Sequence, residues 1–471
     1  MLRLFQNFCP MPFRMLLPLC LAGSLWASAC ASFAGTTEAI SSGIGYGEAE
    51  SLALRHNPQI LNARAAIDGA EADVLTAGAR PNAVMSVNGS GIDKSQYSSN
   101  MKLNAVDTIV RIDQPFERGN KRDLRLAKAG DLNQAALWDL QETIRQERLR
   151  VVSAWLDLRV AEQRTQLADA NLAQSERVAD KARLRFKTGD LSGADLGRIE
   201  SDTARLQADA QMARRDRARA SALLASLLGQ VMQNQLISTR GDWPPLMSHP
   251  DAEKIMNELS DKRPDVQAAR ARLAAAKQSI ELARAQRTRD ITVGLQYERN
   301  NPTVVNSVGA GVAIPLFTGN NFEGDIRRSM AEMTQAEIVM LQTERNARTE
   351  TKLLIRELDE ANGRLRSLQD MALQSARRTD KAADVAYSRG AMSTFEYLDA
   401  KRSLRQAEID ATTARADAAL AASSIRLLSV LSEGITLAKP NHYESPVAQN
   451  TPANLPNNRN ALPDLPGAAS Q

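Results

Sequence analysis

Two short stretches of the chain alternate apolar with small or polar residues, and both lie late in the sequence. In DITVGLQYER (290–299), Val293, Leu295 and Tyr297 alternate with Thr292, Gly294 and Gln296. In NSVGAGVAIPLF (306–317), Val308, Ala310, Val312 and Ile314 have Gly309, Gly311 and Ala313 between them. A period of two is a strand signal, and Asn300-Asn301-Pro302 between the stretches is turn-forming. NAVMSVNGSGI (82–92) and VDTIVRIDQPF (106–116) make a similar pair in the first half. One β-hairpin is therefore expected in each half, over 82–116 and 290–317, giving four strands.

The rest of the pattern is helical and is also written twice. Asn57-Pro58 and Arg263-Pro264 each open an Ala-rich run, and proline is tolerated in a first helical turn. QPFERGNKR (114–122) has a counterpart in IPLFTGNNF (314–322), aligning Pro115 with Pro315, Gly119 with Gly319 and Asn120 with Asn320. These breakers are expected to end the second strand and turn the chain into the next element. After each comes a proline-free stretch, 120–187 and 320–389, long enough for helices of roughly 100 Å at 1.5 Å per residue. Leu149, Val152 and Leu156 in the first, and Leu353, Leu354 and Leu358 in the second, mark the expected packing seams.

Each long helix stops at a matching signature, RFKTGDLSGADL (185–196) and AYSRGAMSTFEYLDA (386–400). Gly189 aligns with Gly390, Ser192 with Ser393 and Asp195 with Glu396. Glycine ends the incoming helix; serine caps the outgoing one with a carboxylate in its first turn. Return helices are expected over 193–230 and 394–431. The organisation expected is thus a first repeat over 46–245, with its long helical hairpin at 120–230, and a second over 250–437, with its hairpin at 320–431. The Pro- and Asn-rich tail over 438–471 is expected to be disordered.

Composition narrows the function classes. The net charge is +4, from 59 basic and 55 acidic residues that are interspersed, which argues against nucleic-acid binding. Cys9, Cys20 and Cys30 account for all the cysteine, so the body of the chain has no thiolate site. The histidines, His56, His249 and His442, have no metal-ligand spacing, and there is no P-loop or nucleophile elbow. No cofactor, metal site or catalytic residue is expected. Arg3 and Arg14, the apolar run MLLPLCLAGSLW and the small residues after it form a secretory signal peptide over 1–29. Cys30 directly after Ala-Ser-Ala is a candidate for lipidation.

No later segment is apolar for the roughly 20 residues of a membrane-spanning helix. Four strands cannot close a barrel, and an open sheet edge cannot sit in lipid, so a membrane role requires several chains to share one barrel. The doubled architecture and the two tip motifs resemble the TolC-type outer-membrane efflux family, over roughly 46–437. QPFERGNKR is similar to the Q-P-h-E-x-G-G-K-R pattern (h apolar) of outer components of cobalt-zinc-cadmium-type metal efflux systems, with Asn120 in place of the second glycine.

The resemblance implies a mainly α fold with a small β contribution: a homotrimer whose twelve-stranded barrel, in outer-membrane lipid, sits on a periplasmic α-helical barrel. It implies the exit duct of a tripartite pump in a Gram-negative outer membrane, with a periplasmic adaptor and an inner-membrane resistance-nodulation-division transporter as partners. Divalent heavy metals are the cargo the subfamily pattern implies, and organic compounds the alternative. By motif match, Tyr387, Glu396, Asp399 and Asp195 are the candidate gate residues, and Gly189, Gly390, Ser192 and Ser393 the turns that meet an adaptor. Met392 stands where the family often has a bridging arginine. A cap or surface role competes with the gate role at Asp195. A periplasmic adaptor or a structural coiled coil would also carry long helices, but neither needs two matching strand pairs.

Overall fold

The computed structural model describes residues 43–90, 107–229, 236–248, 262–300 and 305–432, with the side chains of 394 and 429–432 excepted. The expected signal peptide, Cys30 and the tail over 438–471 lie outside the described residues. Two short helices open the structure, α1 (Tyr46–His56) and α2 (Pro58–Gly78). Asn57 between them is fully buried, and its Oδ1 accepts from Gln59 N at 2.8 Å to cap α2. Its amide nitrogen donates to Glu147 Oε2 at 3.0 Å and to the Leu227 carbonyl at 3.1 Å. One side chain thus satisfies a helix start and ties it to two distant segments.

Strands β1 (Val84–Ser90) and β2 (Asp107–Phe116) lead into α3 (Lys121–Lys187), a helix of 67 residues. At 1.5 Å per residue it is about 100 Å long. The return helix α4 (Gly193–Leu227) lies against it. The second half runs through α5 (Pro264–Ala285), β3 (Ile291–Asn300), β4 (Val305–Ala313), α6 (Glu323–Arg366), α7 (Leu373–Ser388) and α8 (Thr394–Ser432). A six-residue π segment, Ser367–Ala372, joins α6 to α7, so the second long helix is not uniform as expected. No described helix is long and apolar enough to cross a membrane.

Small residues set how closely these helices pack. Ala414 and Ala418 of α8 meet Leu365, and Ala421, Ala422 and Ile425 meet Leu358 of α6. Alanine leaves room for neighbouring backbones to approach, so the interior is built from Ala and Leu rather than aromatic rings. Trp155 is fully buried, and its indole N–H donates to the Ile44 carbonyl at 2.9 Å. Of the expected seam residues, Val152, Leu156 and Leu358 are buried, but Leu353 is 53% exposed. Leu353 and Leu354 are adjacent, and 100° apart on a helix they cannot both face one seam.

The four strands form one antiparallel sheet in the order β1-β2-β3-β4. Met85 pairs with Ile112, Ile112 with Leu295 and Leu295 with Ala310, so these four form one row across the sheet. Val87, Val110, Tyr297 and Val308 form the next row.

The two strand-to-helix joints share residues but not geometry. Gly119 (φ 75°) and Asn120 (φ 60°) are both left-handed in the first joint. In the second, Gly319 is not, and the left-handed residue is Phe322 (φ 59°), whose N–H donates to Asn320 Oδ1 at 2.8 Å. The expected equivalence of Gly119 with Gly319 therefore fails in backbone conformation, because α6 begins two residues later relative to its Gly-Asn pair than α3 does. Pro115 also sits within β2, opposite Thr292, whereas Pro315 follows the end of β4. The first joint ties the halves together. Buried Lys121 reaches Asp290 at 2.8 Å, and the same carboxylate oxygen accepts from Arg118 N at 2.9 Å.

Candidate functional site

The sheet is mainly polar on one face, which also carries Val84 and Ile109, and mainly apolar on the other, which is the more exposed one. Met85, Val87, Ile112, Val293, Leu295, Tyr297, Val308 and Val312 all point outward; Leu295 is 61% and Val308 82% exposed. Residues of the opposite parity include Ser86, Arg111, Asp113, Gln296 and Glu298. Arg111 and Asp113 pair at 2.8 Å across two positions of one strand. Gly294 makes room for that pair: a Cβ there would collide with the Asp113 carboxylate and lie 3.0 Å from the Arg111 guanidinium. A water-soluble sheet puts its apolar face inward; this one does the reverse, which is the pattern of a barrel wall in lipid. Strands of 9 and 10 residues also match the 9–11 of a membrane β-strand. Among the described residues, β1 and β4 are unpaired on their outer edges.

At the other end of the long helices, both tips close as their signatures predict. Gly189 (φ 84°) donates to the Phe186 carbonyl at 3.1 Å and Asp190 N to Arg185 at 2.9 Å. Gly390 (φ 72°) donates to Tyr387 at 3.1 Å and Ala391 N to Ala386 at 2.9 Å. Each is a Schellman stop, in which glycine takes the left-handed turn without a Cβ penalty. Ser192 Oγ accepts from Asp195 N at 3.1 Å and donates to its carboxylate at 2.7 Å. Ser393 goes further: Glu396 N donates to Ser393 Oγ at 3.2 Å while Ser393 N donates to Glu396 Oε2 at 2.9 Å. That is a reciprocal capping box. The backbone N–H and then the hydroxyl of Ser393 hold the Glu396 carboxyl below the usual glutamate range.

The structure gathers some of the candidate gate residues and separates others. Asp195, Tyr387, Gly390 and Ser393 line one cleft of about 980 Å³ between the tips, together with Met392 and Arg402. Glu396 and Asp399 are exposed on the first turns of α8 and do not line it. Tyr387 stacks on Tyr397, with ring centroids 4.4 Å apart and planes 14° from parallel. Tyr397 is buried, and its hydroxyl accepts from Gln174 of α3 at 3.3 Å. Burial raises its pKa, against the pull of Lys401. Lys401 lies 5.3 Å from the Tyr397 ring centroid and pairs with Asp380 at 2.8 Å and Asp384 at 3.0 Å.

Four residues in this network carry no local signature. Gln174, Asp202 and Arg402 act through partners on the other hairpin, with Arg402 of α8 pairing to Asp202 of α4, and Lys401 through Asp380 and Asp384 on the facing arm of its own hairpin. Arg402 follows Asp399 by one helical turn, which places an arginine near the acids although Met392 fills the expected position. Beside the pair, Arg164, Arg205 and Arg405 line a further cleft of about 420 Å³. Burial lowers the pKa of Arg405, with Asp202 and Asp209 opposing the shift.

A family model described as "Outer membrane efflux protein" matches residues 50–230 and 255–431. The cobalt-zinc-cadmium resistance protein CzcC of Cupriavidus metallidurans is 26% identical over 364 residues, covering 76% of this chain and 83% of that protein. The pyoverdine export outer membrane protein OpmQ of Pseudomonas putida is 25% identical over 275 residues, 55% of this chain and 56% of its own length. Among solved structures, the outer membrane protein VceC from Vibrio cholerae superposes with a TM-score of 0.64 at 18% identity, covering 82% of this chain and 95% of that one. CusC gives 0.60 at 19% identity, covering 81% and 91%.

Proposed function

Since this chain belongs to the outer membrane efflux protein family, we propose that it is the exit duct of a tripartite pump that passes divalent heavy-metal cations outward. Membership makes it an efflux conduit rather than an enzyme. The observation that carries the duct reading is the inverted polarity of the sheet, apolar outside and charged inside, on helices about 100 Å long. The open edges of β1 and β4 require further copies of the chain, and three supply twelve strands. The partners in this reading are a periplasmic adaptor, meeting the turns at Gly189, Ser192, Gly390 and Ser393, and an inner-membrane resistance-nodulation-division transporter.

The gate in this reading is the tip region. Asp195, Tyr387, Glu396 and Asp399 narrow the periplasmic mouth, and the Arg402–Asp202 pair holds the second hairpin against the first. A ring of three copies of each acid favours cations at a constriction. Support for metal cargo comes from the similarity to CzcC over 83% of that protein. The similarity to OpmQ, over a shorter span, supports export of organic compounds as the second reading.

Growth inhibition separates the two. A strain lacking this gene and its complemented parent are compared on cobalt, nickel, zinc, cadmium, copper and silver, and on dyes and antibiotics. Sensitivity confined to divalent metals is expected. Sensitivity confined to organic compounds moves the cargo to the second reading and leaves the duct intact. Unchanged tolerance to both classes, with the partner pump expressed, overturns the duct.

A further inference from the structure

The rim of the sheet from which the long helices depart carries three arginines that the duct function does not use. Arg118, Arg287 and Arg289 line a cleft of about 610 Å³ with Thr288, Phe317 and Asn321, and Glu323 supplies its one carboxylate. Two of them lie just beyond the paired ends of β2 and β3, at the edge of the apolar face. Phe116 pairs with Ile291, and Phe116 is on the outward-facing side. Arg118 follows Phe116 by two residues and Arg289 precedes Ile291 by two, so both lie within two residues of the end of the apolar band.

None of the three guanidinium groups is in an ion pair with a carboxylate among the described residues. Arg287 Nε donates to the Asn321 carbonyl at 3.0 Å. Arg289 lies 5.7 Å over the Phe317 ring, which is itself held edge-on by Phe322 at 5.2 Å. The nearby carboxylate of Asp290 is taken by Lys121 and by the Arg118 backbone. Three cations are thus gathered around open space, and two are oriented by groups that leave their charge unneutralised. Ile314 and Leu316, 47% and 73% exposed, continue the apolar face on the adjoining segment.

We propose that this cleft binds the phosphodiester headgroup of an anionic glycerophospholipid, with the acyl chains lying along the apolar face of the sheet. Guanidinium groups recognise phosphate oxygens by paired hydrogen bonds, and arginines just below an apolar band meet headgroups at that depth. A free phosphate would not need the apolar surface that adjoins the cleft. The assignment rests on the reading that the sheet is inserted in lipid. It places the lipid in the leaflet on the helical side, where it anchors the depth of the barrel.

The test is native mass spectrometry of the full-length assembly, released from vesicles of phosphatidylglycerol and phosphatidylcholine in equal amounts. Retained phosphatidylglycerol is expected to exceed phosphatidylcholine by at least about twentyfold, from about fivefold for each of three arginines. In the triple variant Arg118→Gln, Arg287→Gln, Arg289→Gln the excess should fall by at least about tenfold, from about fivefold per arginine. A control variant, Arg377→Gln with Arg378→Gln, removes charge from α7 instead and should keep the preference. The single variant Arg118→Gln should lose about fivefold of the excess, and gives the same readout if the triple variant does not assemble. Insertion into vesicles with no preference for phosphatidylglycerol overturns the proposal and leaves the duct standing. Displacement of the lipid by equimolar inorganic phosphate overturns it in favour of a free-anion site. Failure of the wild-type protein to insert at all overturns the membrane reading, and the proposal with it.

Discussion

Arg402 of α8 and Asp202 of α4 are 200 residues apart in sequence and form an ion pair that crosses from one helical hairpin to the other. The Asp202 side chain is largely buried, and its second oxygen, Oδ2, has no hydrogen-bond partner in the structure. A buried carboxylate is costly without its cation, so removing Arg402 weakens the contact by more than the pair itself is worth.

Replacing Arg402 by alanine is therefore expected to loosen the tips. In planar bilayers the single-channel conductance should rise severalfold, with Arg402→Lys closer to wild type. An unchanged conductance in Arg402→Ala would remove the pair from any role in closure.

The two faces of the sheet should respond oppositely to charge. Leu295→Arg puts a cation on the outward face and is expected to cost about 2–4 kcal/mol at the centre of the apolar band. Gln296→Arg, one residue on, faces the other way and should cost little. The fraction of heat-modifiable oligomer recovered from membranes measures both, and equal losses would contradict the assigned parity.

Gly119 and Gly189 both have positive φ, yet alanine should be tolerated differently. At Gly119 an added Cβ meets Thr288 Cβ and Oγ1 at 2.7 Å, so steric overlap adds to backbone strain. At Gly189 nothing lies within 4 Å and only the backbone term applies. We expect about 1 kcal/mol for Gly189→Ala and roughly 2–4 kcal/mol for Gly119→Ala, read from the dissociation temperature of the oligomer.

The second tip has a pH window. Glu396 titrates below its unfolded value of 4.5, so its contribution is present above that value and is lost as pH falls through the folded pKa. At Lys401 burial opposes the charge, but hydrogen bonds to Asp380 and Asp384 raise the pKa above 10.5. Its contribution is full below the unfolded pKa and is lost as pH rises through the folded one. Spin labels at Ala194→Cys and Ala391→Cys should give their narrowest distance distribution between about pH 5 and pH 10. A distribution that stays narrow at pH 3 would exclude a role for the Glu396 box in ordering the tip.

The parts of this structure that were legible in the sequence are those fixed by residues within a turn of one another. Gly-x-x-Ser-x-x-acid at each tip specifies a left-handed stop and a cap through contacts no longer than five residues. The alternation of Val293, Leu295 and Tyr297 marks a strand, but a period of two does not say which face meets water; that followed from the rows across four strands. The two Gly-Asn pairs look alike, yet their backbones differ: Gly119 and Asn120 take the left-handed turn in one joint and Phe322 takes it in the other, where the helix starts two residues later. The reach of Gln174 and Asp202 to α8 depends on how one hairpin lies against the other, and the stacking of Tyr387 on Tyr397 on how the two arms of the second hairpin pack. No local pattern encodes that.

The π segment at Ser367–Ala372 has a consequence for symmetry. Each π turn takes one residue more than an α turn, which advances everything after it by one position, about 100° around the axis. The first long helix has no such segment. Two hairpins that began as copies therefore present differently phased surfaces below that level. A ring assembled from them repeats once per chain rather than once per hairpin, and anything that docks at its rim can tell the two kinds of seat apart.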